Sequence, residues 1–506
     1  MTYAMTYRKV DGYVIERLAK IVGDANVLTL PHERFIRAAS AAPFPLHRWE
    51  DHAPDVVVLP GSTEEVAEVL KLANELRIPV VPRAAGTGLA DGAVPLRKGI
   101  VVDIKRMKDI LEIDEENMCV TVQTGINNNT LNLELNKRGY WWPFDPASYP
   151  CSVIGGNMGT SAWSLIGGVS GHIRDLVRSF VHVLPTGKVI TIGEGGGKKI
   201  SKSSTGYTLK YLFFGHQGTL GITTEATLEM FPKPEVEFPA FFGYRSFMDA
   251  WRNALKMAKS GLRTMATHIL FDEWKIEALR RDDEAYIPLP EHIKSVIATC
   301  FYGTEAEVKG ASERIFEIAA KDGGIYLGEE LSEGDWASRH DRYHIAYHGR
   351  HTDGQVGTYS WHCEDSAVNY SAIPYVRERW HALVAEYKQK YDIFDDMGGF
   401  YYNNNPFKQW GDYLTEIDVF IDEYHLTEEL WQKWLELKRK ISEVVLEVGG
   451  SISACHGGTR PGDVELVVGK ELDPGVYEIM KMIKKNLDPN NIMNPGKYML
   501  DSAYEG

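Results

Sequence analysis

Two hydrophobic periods organise this chain. A short β-branched run at 55–59 is followed by Pro60-Gly61-Ser62-Thr63, and Val66, Val69, Leu70, Ala73 and Leu76 then recur at helical spacing. Ser62 with Glu65 three residues on marks a helix start, and Ile78 to Pro82 returns as a strand, which predicts a βαβ-type unit. Strand-like runs follow at 99–103 and 119–124, separated by a polar turn at 114–117. Glycine-rich motifs stop around Pro232 to Glu237, where Pro-Lys-Pro-Glu reads as a boundary. Beyond it the pattern predicts amphipathic helices over 247–260, 305–321, 376–391 and 428–448, interleaved with strands such as 295–302 and 413–421. The expected domains are 1–234 and 235–448, followed by a terminal segment, 449–506, with a capped helix end at Asp488 and a compact turn to Lys497.

Three glycine-rich stretches fall in the first half. They are Arg83 to Gly92; Asp145-Pro146-Ala147-Ser148 with Val153 to Ala162 and Gly167-Gly168; and Phe213 to Glu225. Glycine permits positive φ and brings bare backbone amides close to an anion, although any one such stretch is equally a simple turn. Three of them, each read as a loop after a strand, point to an elongated ligand bound along its length. Gly86, Gly88 and Gly92 are spaced G-x-G-x-x-x-G, which disfavours a standard NAD-type dinucleotide site. The Gly193 to Lys199 stretch lacks P-loop spacing.

With 506 residues, 44% of them hydrophobic, the chain requires more than one core and has room for a large organic cofactor. A net charge of −15 gives no support to nucleic acid as a partner. No window reaches the roughly 20 apolar residues of a spanning helix, and the charged start does not resemble a secretory leader, so a cytoplasmic protein is expected. The five cysteines form no C-x-x-C pair, which argues against a disulfide framework or zinc ribbon.

The run Pro82 to Leu89, the Asp145-Pro146-Ala147-Ser148 and Ile154 to Ser161 pair, Gly218-Thr219-Leu220-Gly221-Ile222, and the terminal Asp488-Pro489-Asn490 to Pro495-Gly496-Lys497 resemble the FAD-linked oxidases of the glycolate oxidase and D-lactate dehydrogenase type. These belong to the vanillyl-alcohol oxidase superfamily. The resemblance implies an α+β protein with a two-subdomain p-cresol methylhydroxylase (PCMH)-type FAD-binding domain and an α+β cap domain built on an antiparallel sheet. It also implies that 449–506 returns to the FAD domain and the active site. The cofactor contacts it implies are Pro82, Arg83, Ala84, Ala85, Gly86, Thr87, Gly88 and Leu89; Pro146 and Ser148; Gly155, Gly156, Asn157, Gly159, Thr160 and Ser161; Gly218, Gly221 and Ile222; and Asn494. Some superfamily members attach the flavin through a histidine in the first loop. Gly86-Thr87-Gly88 stands there instead, so non-covalent FAD is expected.

Flavin chemistry needs a donor C–H near N5 and a group to take the hydroxyl proton. Relatives end a strand in Glu-His-Gly; here Ala454-Cys455-His456-Gly457 keeps the histidine, which becomes the expected proton acceptor, and replaces the glutamate. A second, histidine-rich motif of the metal-using relatives is replaced by Gly398 to Asn405, so no metal is expected, and Tyr401, Tyr402 and Asn403 are the expected hydrogen-bond donors to the substrate. Trp141, Trp142 and Phe400 would supply apolar walls. Arg460, Arg339, Arg342 and Arg350 are candidates for a substrate carboxylate, though surface arginines are commoner than substrate clamps. His340, His344, His348 and His351 read as a solvated or substrate-facing stretch. The expected activity is hydride transfer from a small alcohol, hydroxy acid or phenol to FAD, with oxygen, a quinone or a redox protein taking the electrons, and a homodimer left open. The alternatives are a flavin-adduct transferase like the alkyldihydroxyacetonephosphate synthases, and a flavin electron-transfer component of a larger complex.

Overall fold

A computed structural model describes residues 6–40, 48–195, 199–281, 289–340, 359–391, 394–403, 412–422, 427–459 and 463–504, with the backbone alone at 278–281, 359–364, 394–403, 412–413 and 418–422. Strands β1 (Val27–Leu28), β2 (Val56–Val58), β3 (Val80–Arg83) and β4 (Ile100–Asp103) form a sheet in the order β1-β2-β4-β3. Helix α1 (Gly12–Val22) packs against this layer, and α2 (Thr63–Leu76) makes the crossover between β2 and β3, both of which lie parallel to β4. The α2 start is capped as the sequence predicts: Ser62 Oγ accepts the Glu65 amide at 3.2 Å, and the Glu65 carboxylate accepts the Gly61 amide at 2.7 Å. Its Val66, Val69, Leu70 and Ala73 are buried against Val56, Val58, Val80 and Ile100.

A second, antiparallel sheet contains β5 (Ile110–Asp114), β6 (Cys119–Gln123), β8 (Val177–Val183), β9 (Val189–Gly193) and β10 (Ile222–Glu229) in the order β5-β6-β10-β8-β9. Beside it, β7 (Tyr140–Trp141) pairs with β11 (Phe231–Pro232). Two expectations are corrected in this region. The second glycine stretch is not a loop but helix α3 (Ile154–Thr160), and the third follows a 3₁₀ turn at Leu209–Phe213 rather than a strand. Ile154 and Met158, four residues apart, are buried in the core of the second sheet, and this tertiary packing overrides poor glycine helix propensity. The glycines also let α3 approach closely, since a Cβ at Gly156 would sit 3.1 Å from the Cβ of Ala84 in the first loop.

The remaining strands build one antiparallel sheet: β12 (Val236–Tyr244), β13 (Met265–Phe271), β14 (Ser295–Gly303), β15 (Ile325–Tyr326), β16 (Tyr359–Asn369), β17 (Phe394–Asn403) and β18 (Asp412–Asp422), ordered β15-β12-β14-β13-β17-β18-β16. Alternation divides its residues between two cores. Ala240, Phe242, Leu270 and Ile297 pack under helices α4 (Phe247–Ala258), α5 (Glu305–Lys321), α6 (Ile373–Lys390) and α7 (Glu428–Glu447). Phe241, Ile269, Phe271 and Ala298 share the other core with Trp163, Leu165 and Ile166, which follow α3. This apolar contact seats the large sheet over the glycine-rich region.

After α7 the chain pairs with β16 through Ser451 and Ala367. It then forms α8 (Pro474–Leu487) and returns to the first sheet, where the Val80 amide donates to the Ile492 carbonyl and the Asn494 amide to the Val80 carbonyl, each at 2.7 Å. Lys484 locks that return. Its side chain is 1% exposed, and Nζ donates to Asp488 Oδ2 (2.6 Å), Met493 O (2.7 Å) and Thr219 O (3.0 Å) in the third glycine stretch.

Candidate active site

The three glycine segments converge on one cleft of about 1440 Å³, counting the space open to solvent. Of the residues expected at a cofactor, Pro82–Leu89, Pro146, Ser148, Gly155–Asn157, Gly159–Thr160, Gly218, Gly221 and Ile222 line it. Ser161 and Asn494 are not on its wall. Ser161 terminates α3 at φ +54, and Asn494 Nδ2 donates to the carbonyls of Gly92 and Gln217, both at 2.6 Å, tying the first loop to the third.

The lining fits an elongated flavin nucleotide. Among the described residues, the amides of Ala85, Gly86, Gly88 and Leu89 donate to no protein acceptor, so a row of backbone donors is left for an anionic group such as a pyrophosphate. A Cβ at Gly159 would meet no protein atom within 4 Å, and one at Gly88 only a methyl at 3.9 Å, so these glycines border space that a side chain would fill. Gly86 is required for a different reason: it sits at φ +74, and a Cβ there would run into the Arg83 guanidinium. Arg83 itself is lowered to about 10 by burial and donates to the Ala39 carbonyl at 2.9 Å. His216, also on the lining, is lowered to about 3 by burial, and its Nδ1 accepts the Leu220 amide at 3.4 Å.

One end of the cleft carries the turn containing His456, which lines it together with Cys455 and Glu416. Asp365 on β16 organises this turn: its Oδ2 accepts the amides of Cys455 (2.5 Å) and His456 (3.3 Å), and its Oδ1 lies 2.6 Å from His456 Nδ1. Asp365 is 3% exposed, and Glu416 stands directly opposite it in the β16–β18 register. The Cys455 thiol donates to Glu416 Oε1 at 3.8 Å, and burial, followed by the fields of Asp365 and Glu416, pushes its pKa well up, so it stays protonated. The Asp365 carboxylate stands beside Nδ1 without the alignment of a hydrogen bond, and its charge favours the imidazole tautomer protonated at that nitrogen, with Nε2 as the acceptor.

Asp365, Glu416 and Gln217 were not assigned roles from sequence. No spacing rule connects residues 365 and 456. Several other expectations are corrected. Trp142 is no cleft wall but fully buried core, its Nε1 donating to Asn128 Oδ1, and Trp141 stacks on Tyr302 at 5.4 Å, also away from the cleft. Trp163 provides the tryptophan on the lining. Arg339 is engaged with Asp145 at 2.8 Å, and His340 is neither solvated nor facing the cleft, because its Nε2 meets Asp145 Oδ1 at 2.5 Å while its ring stacks on Tyr149. Burial opposes ionisation of Asp145, yet Arg339 and His340 hold its carboxyl below the ordinary value. Tyr401, Tyr402 and Asn403 lie on β17, opposite Leu270, Ile269 and His268 of β13. Phe400 lies on the same strand opposite Phe271, with only its backbone described. Arg342, His344, His348, Arg350, His351 and Arg460 lie outside the described residues.

Comparison with known proteins agrees with this geometry. Residues 54–193 match a family described as an FAD binding domain, and residues 233–498 match the C-terminal domain of FAD linked oxidases. The chain is 29% identical over 97% of its length to "Glycolate oxidase subunit GlcD" of Bacillus subtilis, 97% of which is covered. It is 30% identical over 88% of its length to "D-lactate dehydrogenase" of Anaerostipes hadrus, 89% of which is covered. Its fold superposes on p-cresol methylhydroxylase with substrate bound at a TM-score of 0.77 and 19% identity, with 96% of each chain covered, which establishes the expected PCMH-type α+β architecture. The free amides, the glycine-bordered cleft and a match spanning more than half of the chain lead to one assignment: this protein belongs to the FAD-linked oxidases, and it is an FAD-dependent oxidoreductase.

Proposed function

We propose that the protein oxidises a small hydroxyl-bearing donor, with 1–234 holding the cofactor, 235–448 covering the donor and 449–506 delivering His456 as proton acceptor. When bound, FAD supplies a two-electron hydride acceptor at its N5. The chain's own residues do the rest. Backbone amides of the first loop hold the pyrophosphate, and α3 with the third glycine stretch encloses the remainder of the nucleotide. His456 Nε2 takes the hydroxyl proton while Asp365 keeps Nδ1 protonated and the ring oriented. Thus the donor gives up a hydride and a proton, and the proton goes to a base whose tautomer is already set.

The Asp365–His456 contact at the cleft carries this reading. We read the site as working without a metal. Asp365, Cys455 and His456 place ligand atoms within 4.8 Å of one another, but Asp365 already serves the turn's amides. The protein is read as cytoplasmic, and among the described residues no helix is long and apolar enough to cross a membrane.

The test is anaerobic bleaching of the bound flavin by D-lactate, glycolate and 4-hydroxybenzyl alcohol, followed by admission of air. Bleaching by at least one donor is expected, slowed by roughly two to four orders of magnitude in His456→Ala with flavin still bound and unaffected by EDTA. Recolouring in air would identify oxygen as acceptor; its absence would point to a quinone or redox protein. No bleaching by any of the three, or full speed in His456→Ala, refutes the reading.

A further inference from the structure

We infer that Gln217 is a positioning residue that couples the flavin-binding loops to His456; this rests on the proposed role of His456. Gln217 lies in the third glycine stretch at φ +50, a left-handed conformation uncommon for a side-chain-bearing residue, and it is 4% exposed. Its backbone amide, its carbonyl and its side-chain nitrogen are all engaged. Its amide donates to the Gly159 carbonyl of α3 at 2.9 Å, its carbonyl accepts Asn494 Nδ2 at 2.6 Å, and its Nε2 donates to the His456 carbonyl at 3.2 Å. Nearby, the Tyr498 hydroxyl donates to the Gly215 carbonyl at 3.0 Å, bracing the start of the same stretch.

Two glycines make room for this arm. A Cβ at Gly92 would lie 2.2 Å from Gln217 Oε1, and one at Gly457 would lie 2.0 Å from Nε2. The carboxamide therefore fills a slot between the first loop and the His456 turn that no other residue type at 92 or 457 permits without displacement. Asp365 holds that turn from the cap sheet, while Gln217 holds it from the cofactor side, so the two fix His456 between the domains. Because Gln217 also lines the cleft, a nucleotide seated there bears on the residue that holds the catalytic turn.

The test compares wild type with Gln217→Met, which fills the slot without a donor, and Gln217→Glu, whose carboxyl donates only when protonated, all as FAD-loaded protein. In hydrogen exchange, the peptide covering residues 453–459 is expected to exchange at least about tenfold faster in Gln217→Met, with residues 84–90 unchanged. This readout needs no donor. With whichever of D-lactate, glycolate or 4-hydroxybenzyl alcohol bleaches the wild type, the limiting reduction rate is expected to fall about tenfold or more with KM little changed. The rate ratio of Gln217→Glu to wild type should rise as pH falls, while that of Gln217→Met stays flat. Unchanged exchange at 453–459, or equal acceleration at 84–90, overturns the coupling. A flat Gln217→Glu ratio overturns the hydrogen bond as its cause. Failure of the underlying reading shows separately, as full activity in His456→Ala.

Discussion

Asp365→Asn is the sharpest test of the His456 assignment, because asparagine keeps the shape and removes one acceptor. In the wild type one carboxylate accepts from the Cys455 and His456 amides at 2.5 and 3.3 Å and lies 2.6 Å from His456 Nδ1. Asparagine offers one oxygen and one NH₂, so it satisfies only one side. With the oxygen on the amides, the NH₂ faces Nδ1 and drives the imidazole proton to Nε2, where the base should be empty. Flavin reduction then drops by roughly 10² to 10⁴, about 3 to 5 kcal/mol of barrier. In the opposite orientation two nearly buried amides lose their acceptor at about 1 to 3 kcal/mol each, which lowers the unfolding midpoint instead. Asp365 does not line the cleft, so FAD content is expected to hold. Stopped-flow reduction by the active donor, paired with thermal unfolding of the FAD-loaded protein, distinguishes the two orientations. A variant within about threefold of wild type in rate, with an unchanged midpoint, refutes the dyad.

Lys484→Met leaves Asp488 buried without its cation and should cost about 3 to 5 kcal/mol in urea unfolding, much of it recovered in Lys484→Met/Asp488→Asn; no recovery would mean that the pair is not the source. His182, His216 and His268 are buried and lowered to about 4, 3 and 3 from 6.5, so the unfolded chain binds more protons below pH 6.5. Their contribution is complete above pH 6.5 and should decline by about 2 kcal/mol per histidine on going to pH 5, read from urea midpoints. Lys497, lowered to about 8 by burial, acts in the same direction in a higher window, with stability rising between pH 8 and 10.5. Gly159→Ala, in a helix with open space where the Cβ falls, should stabilise the apoprotein by up to about 1 kcal/mol while weakening FAD binding; unchanged affinity would place the nucleotide elsewhere.

Much of the fold was legible from local rules. Apolar spacing located the helix at 305–321 to the residue, and those at 247–258, 373–390 and 428–447 to within a few. Ser62 and Glu65 signalled the crossover helix through a cap whose chemistry is confined to one turn. The glycine motifs marked the cleft because their backbone demands are written in their residue types, and the His-Gly pair, through its likeness to relatives, marked the turn at one end of it. Where the signal was a tertiary one, reading failed: α3 is helical because Ile154 and Met158 find a core, and Trp142 is core because Asn128 meets its indole.

Periodicity and caps by themselves determine most helices and strands, and the ordered motifs, through their resemblance to the FAD-linked oxidases, imply a flavin-nucleotide cleft under an antiparallel cap. Only the folded molecule decides which groups share a proton or a turn. Asp365 and His456 are 91 residues apart, and Gln217 and His456 are 239 apart. Hydrogen bonding acts over about 3 Å, and no periodicity along a chain encodes which distant strands and loops will close to that distance.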